Sequence, residues 1–457
     1  MRSAHTVEQV RAAEGELMAG LPDGALMQRA AAGLAVAITD LIGSAYAARV
    51  LLLVGAGDNG GDALWAGAML ARRGAAVEAV LLSEKARADG LEALLASGGR
   101  AVAVSDAHQP DVLVDGIVGI GGRSGLLEEA EAALAAFPGV PVVSVDVPSG
   151  VGVDTGHLDG AHVRADLTVT FGTHKIAHLV DPAARECGVV HLVDIGLDLP
   201  QAPVEALQPV DVAALLPVPD GFDHKYTRGV VGVRAGSETY PGAAVLCTSG
   251  AATGLAGMVR YLGSAADAVR ARHPEVVAAE GRVQAWVVGS GGDADAEAAL
   301  AEALGDGVST VVDADALIHV EKGAGSVVLT PHAGELARML DVAREEVEAD
   351  QLGFARRAAV EYDAVVLLKG RRTLIARPDG RVRVTTSGVP WLAVAGAGDV
   401  LAGLIGALLA AGLDPWDAAS VGSWLHGAAA ALASAGGPLS ASAVADAVPE
   451  VVRNLLG

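Results

Sequence analysis

RVLLLVGAGDNGGDALWAGAMLARRG, residues 49–74, predicts a buried strand, a glycine-rich turn and a helix in immediate succession. Similar apolar runs ending in glycine or turn residues recur in the first half of the chain, with Ala-rich helical segments between most of them: AAVEAVLLS (75–83), DVLVDGIVG (111–119), PVVSVDVPSG (141–150), ADLTVTFG (165–172) and VVHLVDIG (189–196). An alternation of strands and helices is typical of α/β proteins with a parallel sheet.

The same alternation restarts in the second half, in five further runs: 228–237, 283–292, 308–317, 326–335 and 363–370. A hairpin is expected over 373–386, turning at Asp379-Gly380. The proline-rich segment 197–222 lacks sustained periodicity and is interpreted as a linker. With 457 residues, the chain exceeds the usual size of one hydrophobic core. We therefore predict two α/β domains, residues 1–208 and 209–457.

Net charge, apolar runs and cysteine spacing limit the classes of partner and the cellular location that we expect. The formal net charge of −23 argues against nucleic acid or an anionic membrane as partner, although local basic sites for phosphates remain possible. Apolar runs such as 400–413 are too short to cross a bilayer, and the first 20 residues carry acidic residues where a signal peptide has an apolar core. Cys187 and Cys247 have no metal-binding or disulfide spacing. We expect a cytoplasmic protein with two buried, inert thiols.

Polar side chains of the first half cluster in turns and at strand ends. Asp58, Asn59 and Asp62 lie among the glycines of the first turn, and the two carboxylates would repel a phosphate unless a cation lies nearby. Asp115 and Asp146 each end a predicted strand. Neighbouring parallel strands share a crevice at their carboxyl ends, so these residues could converge there as oxygen ligands of a hard cation. Each aspartate could also be an ordinary turn or cap residue.

Four motifs of the first half resemble those of the NAD(P)H-hydrate epimerases, in the same order and over almost all of 1–197: GAGDNGGDALWAGAML (55–70), DGIVGIGGRSG (115–125), SVDVPSGVGVDTG (144–156) and ADLTVTFGTHKIAHLVDPA (165–183). The resemblance implies a Rossmann-like, three-layer αβα domain. It also implies a set of residues that bind the hydrated dinucleotide: Asp58, Asn59, Gly60, Gly61, Asp62, Gly119, Ile120, Gly121, Gly122, Arg123, Ser124, Gly125 and Asp146. The implied potassium site consists of Asn59, Asp115 and Ser149, with the backbone of Val112 as a further candidate. Asp58, Ala63 and Ile120 depart from the family's usual asparagine, glycine and threonine.

The implied reaction interconverts two configurations at the hydroxylated carbon of the nicotinamide ring. Because this carbon is a hemiaminal centre, reversible ring opening needs proton transfer on both sides. Asp146 and Lys175 are the candidate acid–base groups. Lys175 could instead be a surface lysine or a contact to a substrate phosphate.

PWLAVAGAGDVLAG, residues 390–403, puts Asp399 after four small residues and before an apolar helical pattern. The free N–H groups of a helix start favour an anion, so Ala397 and Gly398 could let a phosphate approach while Asp399 faces the same spot. Asp399 could equally be an ordinary N-cap.

The second half, from about residue 215 to the end, resembles the NAD(P)H-hydrate dehydratases, a branch of the ribokinase-like kinases. The resemblance rests on HKYTRGVVGVRAGSETYPGAAVLCTSGAATGLAGMVR (224–260), LTPHAGE (329–335), LLKGRRT (367–373) and AGAGDVLAG (395–403). It implies that Asp399 deprotonates the hydroxyl that attacks the nucleotide's terminal phosphate, with Mg2+ assisting. Ala397 lacks the hydroxyl that the family usually has before the aspartate.

The resemblance also implies two sets of binding residues. Those for the hydrated cofactor are Ala243, Gly291, His332 and Asp399. Those for ADP are Lys369, Gly370, Arg371, Arg372, Thr373 and Gly398. Asp313 and Asp315, in VVDADAL (311–317), are either linked to magnesium or structural, and the sequence leaves both open.

The resulting prediction is a bifunctional enzyme that epimerises hydrated NADH and NADPH and dehydrates the S form with ADP or ATP. Its cofactors would be potassium and Mg2+, its partners small molecules, and its state a homo-oligomer. A sugar or vitamin kinase with a fused nucleotide-binding domain is the alternative, but it leaves the motifs around Asn59 and Asp146 unexplained. A nucleotide-sensing protein without turnover is disfavoured because Asp399 and Lys369 are both present.

Overall fold

The computed structural model describes residues 1–122, 124–323 and 325–457. The strands of this part are β1 (Arg2–His5), β2 (Arg49–Val54), β3 (Ala76–Leu81), β4 (Arg100–Ala101), β5 (Val112–Gly116), β6 (Val142–Val145), β7 (Leu167–Phe171), β8 (His174–Lys175), β9 (Val189–Val193), β10 (Val204–Ala206), β11 (Val230–Arg234), β12 (Met258–Tyr261), β13 (Ala285–Val288), β14 (Ser309–Val312), β15 (Val327–Leu329), β16 (Val365–Leu368), β17 (Thr373–Ala376) and β18 (Val382–Thr385).

Its α-helices are α1 (Val7–Met18), α2 (Ala25–Ile42), α3 (Asp58–Arg72), α4 (Ala88–Ala96), α5 (Glu128–Ala135), α6 (Ala183–Glu186), α7 (Pro209–Leu215), α8 (Pro241–Ala251), α9 (Ala266–Arg272), α10 (Ala296–Gly305), α11 (Ala333–Leu340), α12 (Arg344–Ala349), α13 (Gln351–Tyr362), α14 (Ala397–Ala410), α15 (Pro415–Ser434) and α16 (Ala441–Leu456). The contacts divide the chain into two compact units, Ser3–Val204 and Met1–Arg2 with Glu205–Gly457.

The first unit is built on a parallel sheet in the order β4-β3-β2-β5-β6-β7-β9. Side chains of β2 alternate between two cores: Leu52 and Val54 pack with α2 and α3 on one face, and Leu51 and Leu53 pack with α5 on the other. The α/β class and the three-layer arrangement predicted for the first half are therefore confirmed. Strand order reverses between β2 and β5, which is where open α/β sheets bind ligands.

The second unit has parallel strands in the order β12-β11-β13-β14-β15-β16. β17 and β18 continue it as an antiparallel hairpin, with Thr373 opposite Thr385 and Gly380 at positive φ, as the sequence predicts. Helices α8, α14 and α15 share one large apolar core with the sheet: α14 packs on β11 and β13, α8 packs on β11, and α15 packs on β15 to β18. The small residues make this close packing possible: a Cβ built on Gly250 would meet the Val400 carbonyl oxygen of α14.

The structure bears on two interpretations of the sequence: that residues 197–222 are a linker, and that the apolar segments are too short to cross a bilayer. The segment interpreted as a linker contains β10, next to β18, and α7, which packs on α15 and α16. Its short apolar pattern was missed because three strand residues and seven helix residues carry too few periods.

Among the described residues, α2 is long and apolar enough to span a membrane by length and composition, although Ala31, Leu34 and Ile38 are buried in the core.

Candidate active sites

The first unit contains a cavity of about 890 Å³ at the reversal of strand order, between the ends of β2 and β5. Gly57, at φ 89°, turns the chain from β2 into α3, a conformation that favours glycine. Nine of the residues that the sequence predicts for substrate binding line the cavity: Asp58, Asn59, Asp62, Gly119, Ile120, Gly121, Gly122, Gly125 and Asp146. Topology thus brings together residues that lie up to 88 positions apart, from Asp58 to Asp146.

Two arginines supply positive charge that offsets the expected repulsion between a phosphate and the carboxylates of Asp58 and Asp62. Arg87 binds the exposed carboxylate of Asp58 at 3.1 Å and that of Asp89 at 3.0 Å. Arg11 lies across the glycine loop, where a Cβ built on Gly121 would be 2.6 Å from its guanidinium. Neither arginine belongs to a recognised motif, so neither could be predicted from the sequence. Both line the cavity and can bind the phosphates of a ligand.

The remaining predicted residues of this loop pack around the cavity. Gly60 and Gly61 are buried in the first turn of α3, and a Cβ on Gly61 would meet the Arg87 side chain at 2.7 Å. The Ser124 hydroxyl donates to the Gly150 carbonyl at 3.2 Å. Arg123 lies outside the described residues. Ala63 is fully buried, and a Cβ on Gly116 would lie 2.7 Å from its methyl group, so Gly116 leaves the room that Ala63 needs.

Asp146 and Lys175 form a buried ion pair beside this cavity. Lys175 is 1% exposed, which excludes a surface lysine. Its ammonium also donates to Thr170 Oγ1 at 3.0 Å, to the Phe171 carbonyl at 3.0 Å and to the Thr173 carbonyl at 3.3 Å. Lys175 is therefore held next to Asp146 by hydrogen bonds to fixed acceptors.

The backbone of Asp146 is held in an unusual conformation, with φ 66°. Non-glycine residues adopt positive φ at a cost, and such strain is concentrated at functional sites. His178 Nδ1 accepts from the Lys175 N–H at 3.0 Å, so its Nε2 carries the proton and donates to the Asp146 carbonyl at 2.9 Å. His178 thus couples the backbones of both members of the ion pair.

Two further carboxyl groups of the cavity have raised pKa values. Burial, followed by the negative charges of Asp146, Asp58 and Glu14, raises the pKa of Asp62 well above its usual range. Burial also raises the pKa of Glu14, on α1, although the nearby Lys175 ammonium acts in the opposite direction. Glu14 lies far from the motifs in sequence and was not predicted.

Asp115 is fully buried at the end of β5 and accepts hydrogen bonds on both carboxylate oxygens. Ser149 Oγ donates to Oδ1 at 2.5 Å, and the Ser149 N–H and Ser144 Oγ donate to Oδ2 at 2.9 and 2.8 Å. Asn59 bonds the Val145 carbonyl at 2.5 Å, and its side chain lies against Gly119. Asn59, Asp115 and Ser149, the predicted potassium ligands, thus surround the loop that follows β5. Their amide, carboxylate and hydroxyl oxygens are the donor types that suit a hard cation.

In the second unit, the carboxyl ends of β13, β14, β15 and β16 bring together Ser290, Asp313, His332 and Lys369. Gly291, at φ 61°, lies so close to α8 that a Cβ on it would be 2.7 Å from the Ala243 methyl group. The two residues predicted to contact the cofactor here are therefore neighbours. Only glycine fits both this backbone conformation and this approach.

Asp313 occupies the centre of this edge, with both carboxylate oxygens engaged. Lys369 Nζ and Thr330 Oγ1 bond to Oδ1 at 2.9 and 2.7 Å, and Ser290 Oγ donates to Oδ2 at 3.0 Å. Asp315 accepts from the Asp293 N–H at 3.1 Å. Of the two roles left open by the sequence, these contacts favour a structural one for both aspartates.

Lys369 follows β16 and lies close to the start of α14. A Cβ on Gly398 would lie 3.5 Å from its ammonium nitrogen. Burial lowers the pKa of Lys369, but the nearby carboxylates of Asp313 and Glu335 outweigh it, so that the pKa is raised and the charge is retained. Lys369 can therefore present a positive charge next to the helix start.

The other predicted nucleotide and cofactor residues lie around Lys369. Gly370, Arg371 and Arg372 form the turn from β16 to β17, and Thr373 begins β17. His332 pairs with Lys369 across adjacent strand ends and caps α11, where its Nδ1 accepts from the Glu335 N–H at 3.1 Å. His332 remains 54% exposed, which leaves its ring available to a ligand.

Asp399 is not the N-cap of α14. Gly396 holds that position at φ 86°, and Asp399 is the third residue of the helix. Burial and the negative charge of Asp313 raise the pKa of Asp399 to about 7, against the opposing effects of Lys369 and Ser290. A carboxyl group with this pKa is suited to take up and release a proton near neutrality.

His426, on α15 and next to the start of α14, was not predicted because it belongs to no recognised motif. Burial lowers the pKa of His426 to about 4, and the imidazole hydrogen-bonds the Ala397 backbone. The neutral ring supports the turn before Asp399. Cys187 and Cys247 are both buried, as predicted.

Two family models match the chain. Residues 23–177 match the model described as YjeF-related protein N-terminus, and residues 231–448 match the one described as NAD(P)H-hydrate dehydratase. The second match includes β11 to α16 and thus Lys369 and Asp399.

Curated relatives cover nearly the whole chain. It is 50% identical to the bifunctional NAD(P)H-hydrate repair enzyme Nnr of Mycobacterium leprae, over 95% of both chains. It is 49% identical to the enzyme of the same name from Mycobacterium tuberculosis strain H37Rv, over 92% of both chains. A crystal structure of the ADP/ATP-dependent NAD(P)H-hydrate dehydratase from Bacillus subtilis, co-crystallised with ATP/Mg2+, is 29% identical with a TM-score of 0.51 and covers 55% of this chain and 99% of that one. The chain belongs to the family of bifunctional NAD(P)H-hydrate repair enzymes.

Proposed function

We propose that this chain repairs hydrated NADH and NADPH through two activities, one in each unit. The first interconverts the R and S forms at the hydroxylated ring carbon, and the second dehydrates the S form at the expense of ADP or ATP. The observation that carries the proposal is that each sheet has its own set of charged side chains at the carboxyl ends of its strands. The family relationship supports both activities.

For epimerisation, we assign the proton of the substrate hydroxyl to Asp146. Its carboxylate lines the cavity, and the hydrogen bonds from Lys175, Thr170 and the Phe171 N–H all end on Oδ1. This arrangement leaves Oδ2 to take the proton as the ring opens and to return it when the ring closes on the other face. Lys175 acts through Asp146 by fixing its orientation and its negative charge.

Potassium is a proposed cofactor of this unit, bound by Asn59, Asp115 and Ser149. The donor set is entirely oxygen, as a monovalent hard cation requires, and it surrounds the glycine loop of the cavity. When bound, the cation would supply positive charge that orders this loop. Cavity-lining Arg11 and Arg87 are the proposed contacts for the substrate's pyrophosphate.

For dehydration, we assign the general base to Asp399. It takes the proton of the substrate's ring hydroxyl, whose oxygen attacks the terminal phosphorus of the nucleotide. Lys369 and the free N–H groups at the start of α14 face the negative charge of the transferred phosphoryl group. Because Ala397 has no hydroxyl, this stabilisation comes from backbone groups at that position. The bond between the ring carbon and the phosphate oxygen then breaks and its electrons leave with the phosphate, the neighbouring carbon gives a proton to the departing phosphate, and the ring double bond is restored.

We propose that Mg2+ binds together with the nucleotide rather than at a site built from protein side chains alone. Among the described residues, no cluster of three histidine, cysteine, aspartate or glutamate side chains could hold a metal ion. Mg2+ bound with nucleotides is usually held by phosphates and waters, with few ligands from the protein. The ion would neutralise phosphate charge.

The domain division at 208/209, a cytoplasmic location, small-molecule partners and a homo-oligomeric state complete the proposal. The net charge of −23 supports the exclusion of nucleic acid and anionic membranes as partners.

The proposal is tested with the purified full-length chain and a mixture of R and S hydrated NADH. With ADP or ATP and Mg2+, we expect the absorbance of reduced nicotinamide to return completely, because epimerisation feeds the R form into dehydration. Running ADP and ATP separately identifies the nucleotide. Return of only the S fraction contradicts the epimerase, and no return with either nucleotide contradicts the dehydratase.

A further inference from the structure

We propose that Asp62 enters epimerisation as a neutral carboxylic acid and gives the ring nitrogen the proton that it needs when the ring opens. The inference rests on the proposed epimerase function and assigns the second proton of that reaction. Binding residues alone do not explain this proton, because breaking the bond between carbon and nitrogen leaves an electron pair on nitrogen.

Lys175 is poorly placed to be this donor. Its ammonium is 1% exposed and is bonded to Asp146 and to the acceptors on Thr170, Phe171 and Thr173. Giving up a proton would break the ion pair that holds Asp146. A different acid, in contact with the cavity, is therefore required.

Asp62 lines the cavity and is 7% exposed. Its Oδ1 is buried and has no hydrogen-bond partner in the described part of the chain. An ionised carboxylate with a dry, unpaired oxygen is costly, whereas the neutral acid avoids most of that cost. The geometry thus favours the protonated form.

The charged groups around Asp62 act in the same direction. Asp146, Asp58 and Glu14 each disfavour a further negative charge, and among the described residues the Arg87 guanidinium opposes them. Arg87 is already bonded to Asp58 and Asp89. Together with burial, these carboxylates raise the pKa of Asp62 well above its usual range and so favour the protonated acid.

The proposed step balances without a further reactant. Asp146 removes the hydroxyl proton and the carbonyl bond forms, while the electrons of the bond between carbon and nitrogen move to nitrogen, which takes the proton of Asp62. Rotation presents the other face of the aldehyde. Nitrogen then attacks, returning its proton to Asp62, and the oxygen recovers its proton from Asp146. Two neighbouring carboxyl groups in opposite protonation states are a common solution to acid–base pairing.

The test is Asp62→Asn in the full-length chain, which keeps the size and the neutral state but removes the transferable proton. We expect the epimerase kcat to fall by roughly two to four orders of magnitude, with little change in KM for the R form. Glu78→Gln is the matched control: it neutralises a buried carboxylate of the same unit, paired with Arg100 and His108, and should change the epimerase rate by less than about threefold. Dehydration of the S form, which is assigned to the second unit, reports the amount of protein in both variants.

A pH profile of the parent chain provides a second measurement that does not depend on the variant's folding. An acid must be protonated to act, so the epimerase kcat should fall as the pH rises past the pKa of Asp62. Retention of near-parental kcat in Asp62→Asn, or a parental rate that does not fall on the alkaline side, would overturn the inference. If the parent chain dehydrates the S form but never converts the R form, the proposed epimerase itself is contradicted.

Discussion

The starts of α3 and α14 resemble each other in sequence but differ in charge environment. In both, a glycine at positive φ holds the N-cap and an aspartate lies in the first turns: Asp62 is the fifth residue of α3, and Asp399 is the third residue of α14. Both carboxyl groups have raised pKa values, chiefly because of burial. Their neighbours set how far each pKa rises.

A cation and a hydroxyl donor oppose the shift at Asp399: burial and Asp313 raise its pKa to about 7 against the opposing effects of Lys369 and Ser290. Around Asp62, three carboxylates add to the effect of burial, and in the described part of the chain Arg87 opposes them. An aspartate near the start of a helix therefore provides a base in one unit and an acid in the other. Charged neighbours, most of them outside the glycine motif, decide whether the aspartate acts as an acid or as a base.

The largest effect is expected from Asp399→Asn. The amide keeps the shape but cannot accept a proton, so dehydration should fall by roughly two to four orders of magnitude. Steady-state kinetics on the S form measure this loss, and conversion of R to S in the same preparation should persist as the internal control. A variant that dehydrates at close to the parental rate would remove the general base from the account.

Lys369→Gln should have a smaller effect on rate and a diagnostic effect on pH dependence. Loss of one charge-assisted contact to phosphate should reduce kcat/KM for the nucleotide roughly 10- to 100-fold. Because Lys369 lowers the pKa of Asp399, its removal should also move the midpoint of the pH profile to higher pH. A profile with an unchanged midpoint would show that Lys369 does not act on Asp399.

Asp115→Asn tests the proposed potassium site and should have the smallest effect. It retains the size of a residue that accepts hydrogen bonds from Ser144 and Ser149, whereas alanine would leave these buried donors unpaired. We expect the potassium concentration that gives half-maximal epimerisation to rise roughly tenfold, with the rate recovering at high potassium.

Titration with potassium at constant ionic strength, using sodium as the balancing cation, distinguishes this effect from general screening. Equal potassium dependence in the parent and the variant would remove Asp115 from the site.

Much of the fold follows from local patterns in the sequence. The apolar runs before Gly55 and Asp115 predict strands because they are long and bounded by turn residues, and the pair Asp379-Gly380 predicts the hairpin. Because parallel strands align their carboxyl ends, the sequence also predicts that Asp115 and Asp146 converge. β10 was missed because three residues carry no reliable period.

The electrostatics of the sites could not be predicted in the same way. That Arg87 pairs with Asp58, and that Lys369 pairs with Asp313, depends on tertiary contacts between residues 29 and 56 positions apart. Local spacing carries no information on such pairs. The N-cap interpretation of Asp399 was wrong for a local reason: a helix start can shift by a few residues when Gly396 adopts positive φ.

The central claim is that Asp62 acts as a protonated acid and Asp399 as an ionised base. The pH–rate profiles of epimerisation and dehydration, measured on one preparation, test this claim most directly. For dehydration, kcat/KM should fall about tenfold per pH unit below the Asp399 pKa of about 7 and level off above it, because the base must be ionised. For epimerisation, the rate should instead decline on the alkaline side, because Asp62 must keep its proton. Profiles with limbs of the same sign, or a dehydration rate independent of pH between about 5 and 8, would contradict the account.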